Sequence, residues 1–267
     1  MKRLSLICLF IYCFLSGLGQ TEIQEFKQNI LNEKGPYPYG KLINKEFKNE
    51  LINNDFSQLF TRVENSIVYG FIGDNFQRIR IKLISVTKDL TSQDTYHFYG
   101  KSMVKGNVDE FNGTIKITNI RKFKALRHGC EDEYKYKGQK GEFILLGSYV
   151  FKENPKQNHS GVFKGTFCSN FFINKNNLIK YNDIENCSDS YTNNQFVGQW
   201  ASYDGKLTQR CNWGDYRIPN SGDLNIGAGE FSPNDKYLKY GWQSRRDTFI
   251  DSNKVKGVAV ENAKWWE

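Results

Sequence analysis

Residues 76–86 read Phe-Gln-Arg-Ile-Arg-Ile-Lys-Leu-Ile-Ser-Val, and apolar side chains alternate with basic ones over most of this stretch. The two alternating sets are Ile79, Ile81 and Leu83, and Arg78, Arg80 and Lys82. Such alternation is typical of a β-strand with one buried face and one solvated face. The apolar residues 68–72 precede it across the turn-forming residues 73–75, Gly-Asp-Asn, which predicts a β-hairpin.

Two further pairs of strand-like stretches follow, 96–104 with 111–117 and 143–151 with 162–167. The first pair is connected through a turn at residues 105–107, Lys-Gly-Asn, and the second through residues 154–160. Connections this short favour antiparallel neighbours, because a parallel crossover needs roughly a dozen residues or more. The sequence therefore predicts an antiparallel meander.

Three segments share the pattern Phe-x-Gly-x-apolar, namely residues 111–115, 163–167 and 196–200. Glycine inside a strand is unfavourable unless the sheet bends there or a large ring covers the bare backbone. Strongly bent sheets need such points, which favours a β-barrel over a β-sandwich. The predicted fold class is all-β, with an antiparallel β domain over residues 63–267 after a short helical N-terminal segment.

Residues 1–19 have the features of a signal peptide. A basic start precedes the apolar run 4–15, and Gly17 and Gly19 place small side chains where a signal peptidase needs them. At about 1.5 Å per residue, this run is too short to span a hydrocarbon core of about 30 Å. We expect cleavage before Gln20 and a secreted, periplasmic or cell-envelope location.

Residues 20–62 differ from the rest of the chain. Ile23, Phe26 and Ile30 recur at helical spacing in a polar context, and the Gly- and Pro-containing residues 35–38 end the pattern. This predicts a short amphipathic helix. A weaker helical pattern follows over residues 47–60, and we expect both to pack against the sheet or to cap one end of it.

Export determines how the remaining cysteines are interpreted. Cys130, Cys168, Cys187 and Cys211 lie beyond the predicted cleavage point. An even number in an oxidising compartment predicts two disulfides, with three connectivities open. The loop between Cys168 and Cys187 is short, which slightly favours a bond between these two. No Cys-x-x-Cys pair occurs and the three histidines are far apart, so we expect neither a zinc site nor a cofactor.

The chain is moderately basic, with 37 Lys and Arg against 29 Asp and Glu and a formal net charge of +8. The basic residues are scattered and form no block of five or six, which is typical of a solvated surface. A glycan or an anionic envelope polymer is the expected partner. Nucleic acid is not expected for an exported chain, and the protein is not expected to be integral to a membrane.

All five tryptophans lie in the last third, where residues 211–219 and the glycine-spaced residues 222–230 predict a long structured loop. Aromatic rings beside amides and carboxylates suit a sugar, which has an apolar C–H face and a rim of hydroxyls. The candidate ligand-binding residues are Trp213, Asp215, Tyr216, Arg217, Asp223 and Asn225. The alternative interpretation is that the large rings are buried packing and that Arg217 pairs with a nearby carboxylate.

Two other function classes stay open. A carbohydrate-active hydrolase would need a carboxylate pair from Asp215, Asp223, Glu230 and Asp235, whose spacing the sequence does not show. No nucleophile elbow, zinc-protease helix or phosphate loop is present, and no catalytic residue is assigned. An outer-membrane β-barrel is the second alternative, disfavoured by the basic strand faces and the helical N-terminal segment.

Residues 111–117, 211–219 and 222–231 resemble a group of secreted, β-rich bacterial proteins of unknown function. Residues 196–200, Phe-Val-Gly-Gln-Trp, are also similar to strands of avidin-like and lipocalin-like barrels. The second resemblance implies a cup-shaped barrel. Neither resemblance assigns a binding residue.

Overall fold

The computed structural model describes residues 21–33, 40–61, 64–189 and 191–267. The predicted signal peptide and its cleavage point before Gln20 lie outside the described residues. The described part contains ten strands and several short helices. The strands are β1 Leu42–Glu46, β2 Val68–Ile72, β3 Gln77–Lys88, β4 Thr95–Val104, β5 Asn107–Phe123, β6 Gly141–Glu153, β7 Gly161–Ile173, β8 Ile179–Tyr181, β9 Asn193–Ser202 and β10 Thr208–Asp215.

Eight of these strands pair in chain order. Strands β2 to β7 each pair antiparallel with the next, β7 pairs with β9, β9 with β10, and β10 returns to β2. The result is a ring-like antiparallel sheet, to which β1 adds beside β5 and β8 beside β7. The predicted fold class and the meander order are confirmed, and the ring agrees with the preference for a closed sheet over a sandwich.

Helices lie at both ends of the chain. Residues 21–31 form α1, followed by α2 Lys48–Leu51 and α3 Gln58–Thr61. The N-terminal helix was predicted, whereas β1 was not. After β10 come two 3-10 turns, Gly222–Leu224 and Asp235–Tyr240, and then α4 Gln243–Asp247 and α5 Lys254–Asn262. The helical character of this C-terminal part was missed by the sequence prediction.

The interior of the ring is a packed aromatic core. Phe56 and Phe60, from the segment that contains α3, enter this core and contact the rings of Phe171 and Phe98 with centroid distances of 5.2 Å each. The strand side chains that fill the interior include Tyr96, Phe98, Phe111, Tyr149, Phe151, Phe163, Phe167, Phe171, Phe196, Trp200 and Trp213. Because these side chains fill it, the interior stabilises the fold and does not form a cup for a ligand.

Two groups of side chains cover the outside of the ring. Phe26 and Ile30 of α1 pack on Ile144, Leu146 and Val197. On β2 and β3, a second layer buries apolar groups of the C-terminal segment, including Leu224, Phe231 and Trp242. Both layers are apolar, so each stabilises the fold by about 25 cal/mol for every Å² of apolar surface that it removes from water.

The basic face of β3 is covered rather than solvated, contrary to the sequence prediction. Arg78 is 6% exposed and donates to both carboxylate oxygens of Glu261 on α5, at 2.8 and 2.5 Å. Arg80 donates to the same carboxylate at 3.2 Å. A buried carboxylate needs such partners, and this network fastens α5 to the sheet.

The recurring glycines mark close contacts between strands. Gly165 and Gly198 stand directly opposite each other on β7 and β9. A Cβ atom at Gly198 would lie 2.2 Å from Tyr149 Oη and 2.4 Å from the Lys164 carbonyl oxygen. Glycine is therefore required where a tyrosine ring and a neighbouring strand approach the backbone, as the repeat predicted.

Within the part of the chain that the structure describes, one disulfide is present, between Cys130 and Cys187. The preferred pairing of Cys168 with Cys187 is therefore wrong, and among the described residues no disulfide joins Cys168 to Cys211. Cys168 on β7 lies in the outer layer beneath α1, whereas Cys211 on β10 points into the ring. The wall of the sheet separates the two sulfur atoms, so loop length was a poor guide to pairing.

Candidate functional site

An open cleft of about 820 Å³ lies between the disulfide-bonded segment 182–191 and the C-terminal helices. We call it the Tyr216 cleft. Its walls come from five separate parts of the chain: residues 66–69, residues 186–189 with 191, and residues 216–217, 229–231 and 245–262. A volume of this size falls within the range of about 300–1,000 Å³ that is usual for small-molecule sites.

Tyr216 has a strained backbone at this cleft. Its φ is +65°, and Arg217 N donates to the Asp215 carbonyl oxygen at 2.8 Å across it, which is the bond of a γ-turn. Tyr216 N is held by the Ile67 carbonyl oxygen at 2.8 Å. A bulky residue with positive φ is an outlier, and such strain is concentrated at functional sites.

The ring of Tyr216 lies against Tyr191, with centroids 4.8 Å apart and planes at 76°. Tyr69 and Phe231, which also line the cleft, are stacked at 4.7 Å. Burial raises the pKa of Tyr69 to about 12. Tyr69, Tyr191 and Phe231 are themselves buried, at 3%, 8% and 1% exposure, whereas Tyr216 is half-buried and presents the most exposed aromatic ring of the four.

Arg217 organises the cleft wall. Its guanidinium donates to the carbonyl oxygens of Gly227 at 3.2 Å and Ala228 at 2.8 Å, and also to those of Asp189 and Gly229. These bonds join the disulfide-bonded segment to the loop after β10. Because its guanidinium already donates to these carbonyl oxygens, Arg217 mainly holds the cleft wall in place and is less available to bind a ligand. The structure pairs it with carbonyls, not with the carboxylate that the packing alternative predicted.

Asp215 lies behind the cleft, at the end of β10, and is 4% exposed. Burial raises its pKa to about 8, against which hydrogen bonds from Tyr181 and Asn194 act. Tyr181 Oη donates to Asp215 Oδ2 at 2.9 Å. Burial therefore favours the protonated form of this carboxyl group, which is held by Tyr181 and does not line the cleft.

Trp213 does not lie in a loop. Residues 208–215 form strand β10, and the loop begins only at Tyr216, so the predicted start of the loop is wrong. The Trp213 ring is 2% exposed and stacks on Phe196 at 4.7 Å and 10° inside the ring-like sheet. This burial supports the packing interpretation of Trp213 and leaves no face for a ligand.

Asp223 and Asn225 hold the loop that follows rather than the cleft. Asp223 is paired with Lys236 and accepts from Tyr237 Oη at 2.7 Å, and its hydrogen bond with Lys236 is the largest cause of its lowered pKa. Asn225 Oδ1 accepts from Gly227 N and Ser232 N at 3.0 Å each. Of the six predicted ligand-binding residues, the structure brings only Tyr216 and Arg217 into the cleft wall.

The carboxylates considered for a hydrolase do not face one another across this cleft. Of these four residues, Glu230 lines the cleft, and its carboxylate pairs with Arg245 at 3.1 Å. Asp235 pairs with Arg246 at 2.8 Å, while Asp223 and Asp215 have the partners given above. Each carboxyl group thus has a structural partner, and no observation favours the hydrolase over a binding site.

Four polar side chains that line the cleft were missed by sequence reasoning: Ser66, Asn186, Lys254 and Asn262. Within the ranges that the structure describes, none of these side chains makes a hydrogen bond or ion pair with the protein. They are a hydroxyl, two amides and an ammonium group, all able to bind a polar ligand. They come from four distant segments, and no local sequence pattern connects them.

The charges of the cleft are nearly balanced within the protein. Burial alone would raise the pKa of Glu261, but the hydrogen bonds and charges of Arg78 and Arg80 lower that pKa to about 2. Arg245 is held by Glu230 and lies over the rings of Tyr69 and Phe249, 5.1 and 4.6 Å from their centroids. Among the described residues, Lys254 and Arg217 are the cations of this cleft without an acidic partner, and the Arg217 guanidinium is already bonded to carbonyl oxygens.

Among the residues that the structure describes, no cluster of three or more His, Cys, Asp or Glu side chains could hold a metal ion. None of the helices in the described ranges is both long and apolar enough to cross a membrane. Comparisons with protein-family models, with curated proteins and with solved structures find no match to this chain.

Proposed function

We propose that this protein is exported and binds a glycan in the Tyr216 cleft. The observation that carries the proposal is the strained Tyr216. A γ-turn positions its ring beside Tyr191 in the wall of the cleft, whose other lining groups include hydroxyl and amide side chains that have no hydrogen-bond partner among the described residues. Strain of this kind costs on the order of 1–3 kcal/mol and persists where the surrounding structure enforces it.

A sugar suits this combination of groups better than an apolar ligand does. The C–H face of a pyranose can lie against the half-buried ring of Tyr216, which Tyr191 supports from the protein side, and its hydroxyls can pair with Ser66, Asn186 and Asn262. The charges of the cleft are mostly satisfied within the protein, which favours neutral sugar units. Lys254 allows one acidic substituent at the rim.

The proposed location outside the cytoplasm rests on two observations. Residues 1–19 have the basic start, the apolar run and the small residues of a signal peptide. The Cys130–Cys187 disulfide forms one side of the cleft through Cys187, and such bonds persist in oxidising compartments. We propose a secreted, periplasmic or cell-envelope protein.

The binding proposal is tested by screening the protein on a glycan panel and titrating the best saccharide calorimetrically. Tyr216→Ala should weaken that binding by about 2 kcal/mol or more, as expected for an aromatic hot spot. Asn262→Ala should weaken it by about 1 kcal/mol, because a hydrogen bond to a sugar hydroxyl is lost.

Matched controls use residues outside the cleft. Tyr203→Ala removes a tyrosine that is 45% exposed, and Asn176→Ala removes an exposed amide in the β7–β8 turn. Both should leave saccharide affinity unchanged. The proposal fails if no glycan of the panel binds, or if the control variants lose as much affinity as the cleft variants.

A further inference from the structure

A second groove, of about 570 Å³, lies at the turn between β7 and β8 and is lined by the loop 134–139. We call it the lysine groove and define it by Tyr134, Tyr136, Lys137, Phe172, Lys175 and Lys180. It shares no lining residue with the Tyr216 cleft. The disulfide connects the two sites, because Cys130 lies in the segment that leads into this loop and Cys187 lines the cleft.

The fold brings the three lysines together from different elements. Lys180 on β8 stands opposite Phe172 on β7, and Lys175 lies in the turn between these strands. The loop 134–139 packs on that turn, since a Cβ atom at Gly138 would lie 3.4 Å from Lys175 Cβ. Lys140 N anchors the end of the loop to the Ile173 carbonyl oxygen at 2.8 Å.

The floor of the groove is aromatic. The rings of Tyr134 and Phe172 meet edge to face at 5.9 Å, and Lys137 Nζ lies 3.8 Å from the Tyr134 centroid. Tyr134 Oη donates to Asp183 Oδ1 at 3.3 Å, which positions its ring. Tyr136 is 90% exposed, an unusual position for so large an aromatic side chain.

The groove carries an excess of positive charge. Three lysines line it against a single acid, Asp183. Within the described ranges, Lys137, Lys175 and Lys180 form no ion pair, and Asp183 is instead engaged by Tyr134. Like charges gathered around one concavity repel each other and attract a polyanion.

We propose that the lysine groove binds an acidic polysaccharide, whose carboxylate or sulfate groups pair with the lysines while a sugar ring lies on Tyr136. The concave shape favours a chain that lies in the groove over a flat lipid surface. The Cys130–Cys187 disulfide, just before the loop 134–139, is typical of exported proteins and so favours an extracellular polysaccharide over nucleic acid. This site is independent of the proposed glycan binding in the Tyr216 cleft.

The test is calorimetric titration of the full chain with chondroitin sulfate, with polygalacturonate and with neutral dextran of similar length. Both acidic polymers should bind, and binding should weaken as salt rises, because exposed charges are screened. Replacing Lys137, Lys175 and Lys180 together by Gln should raise Kd about tenfold or more, whereas replacing all three by Arg should preserve binding.

A matched triple variant, Lys105→Gln, Lys164→Gln and Lys206→Gln, removes the same charge from exposed lysines elsewhere on the chain and should leave Kd nearly unchanged. Tyr136→Ala should raise Kd at every salt concentration without changing the melting temperature. Tyr216→Ala should not affect these polymers, which separates this site from the cleft.

Several results would overturn the proposal. Equal losses in the two triple variants would mean that general charge attracts the polymer. Equal binding of dextran, tighter binding of single-stranded DNA or tighter binding of phosphatidylserine vesicles would each assign the groove to another ligand class. If neither acidic polymer binds, the proposal that the groove binds an acidic polysaccharide is wrong.

Discussion

Replacing Trp213 by Ala distinguishes a packed core residue from a ligand platform. The ring is 2% exposed, stacks on Phe196 at 4.7 Å, and meets Tyr149 edge to face at 5.2 Å. Its Cβ also lies close to Gly70 on β2, where an added Cβ would come within 2.8 Å of it. Trp213 therefore joins β10 to three neighbouring groups inside the ring-like sheet.

The expected loss follows from this burial. A large aromatic side chain buries about 150–250 Å², which at about 25 cal/mol per Å² corresponds to about 4–6 kcal/mol. Tryptophan-to-alanine changes in cores cost about 3–5 kcal/mol. We expect a loss of about 4 kcal/mol in the free energy of unfolding, and a fall of roughly 10 °C or more in Tm for a chain of this size.

The assay is urea unfolding followed by near-ultraviolet circular dichroism, with a thermal scan beside it. Tyr136→Ala is the control, because that ring is 90% exposed and its loss should change stability by no more than about 0.5 kcal/mol. A loss below about 1 kcal/mol for Trp213→Ala would refute the packing of β10 described above.

Three further predictions follow from other parts of the structure. Asp215 has a pKa raised to about 8 by burial, so wild-type stability should fall relative to Asp215→Asn as pH rises from about 4 to 8, measured by urea unfolding at each pH. Removing the disulfide by Cys130→Ala and Cys187→Ala should cost about 4 kcal/mol, because the bond closes a separation of 57 residues. Gly198→Ala should cost more than about 3 kcal/mol by thermal unfolding, since its Cβ would lie 2.2 Å from Tyr149 Oη.

Each of these has a result that contradicts it. Below the raised pKa of Asp215, the folded protein keeps a proton that the unfolded chain releases, so wild-type stability should depend on pH more than that of Asp215→Asn. Parallel pH profiles of the two proteins would contradict this prediction. Unchanged stability after loss of the disulfide would mean that the unfolded chain gains no freedom. A Gly198→Ala protein as stable as the wild type would show that β7 and β9 do not approach as closely as described.

The strands were predictable because their side chains alternate locally. The turn between β4 and β5 is an example, since Lys105 and Gly106 both have positive φ, at 51° and 85°, as a two-residue hairpin turn requires. Strand β10 was mistaken for a loop because Gly214 and Asp215 suggest a turn. Its own alternation, with Cys211 inward, was the signal that could have identified it.

The site could be predicted only in part. Tyr216 and Arg217 are adjacent in sequence and were identified together. Their role, however, depends on a γ-turn that no local sequence pattern predicts. Asn186, Lys254 and Asn262 reach the cleft from the disulfide-bonded segment and from α5 or its start. Such groups meet only through long-range packing, which single-sequence reasoning does not supply.

The central claim, that a saccharide occupies the Tyr216 cleft, is tested most directly by protein-detected NMR titration of the labelled chain with the best saccharide of the glycan panel. Chemical-shift changes should concentrate in residues 186–191, 216–217 and 258–262, and should disappear in Tyr216→Ala. Changes confined to residues 134–139 and 175–180, or spread evenly over the surface, would contradict the claim.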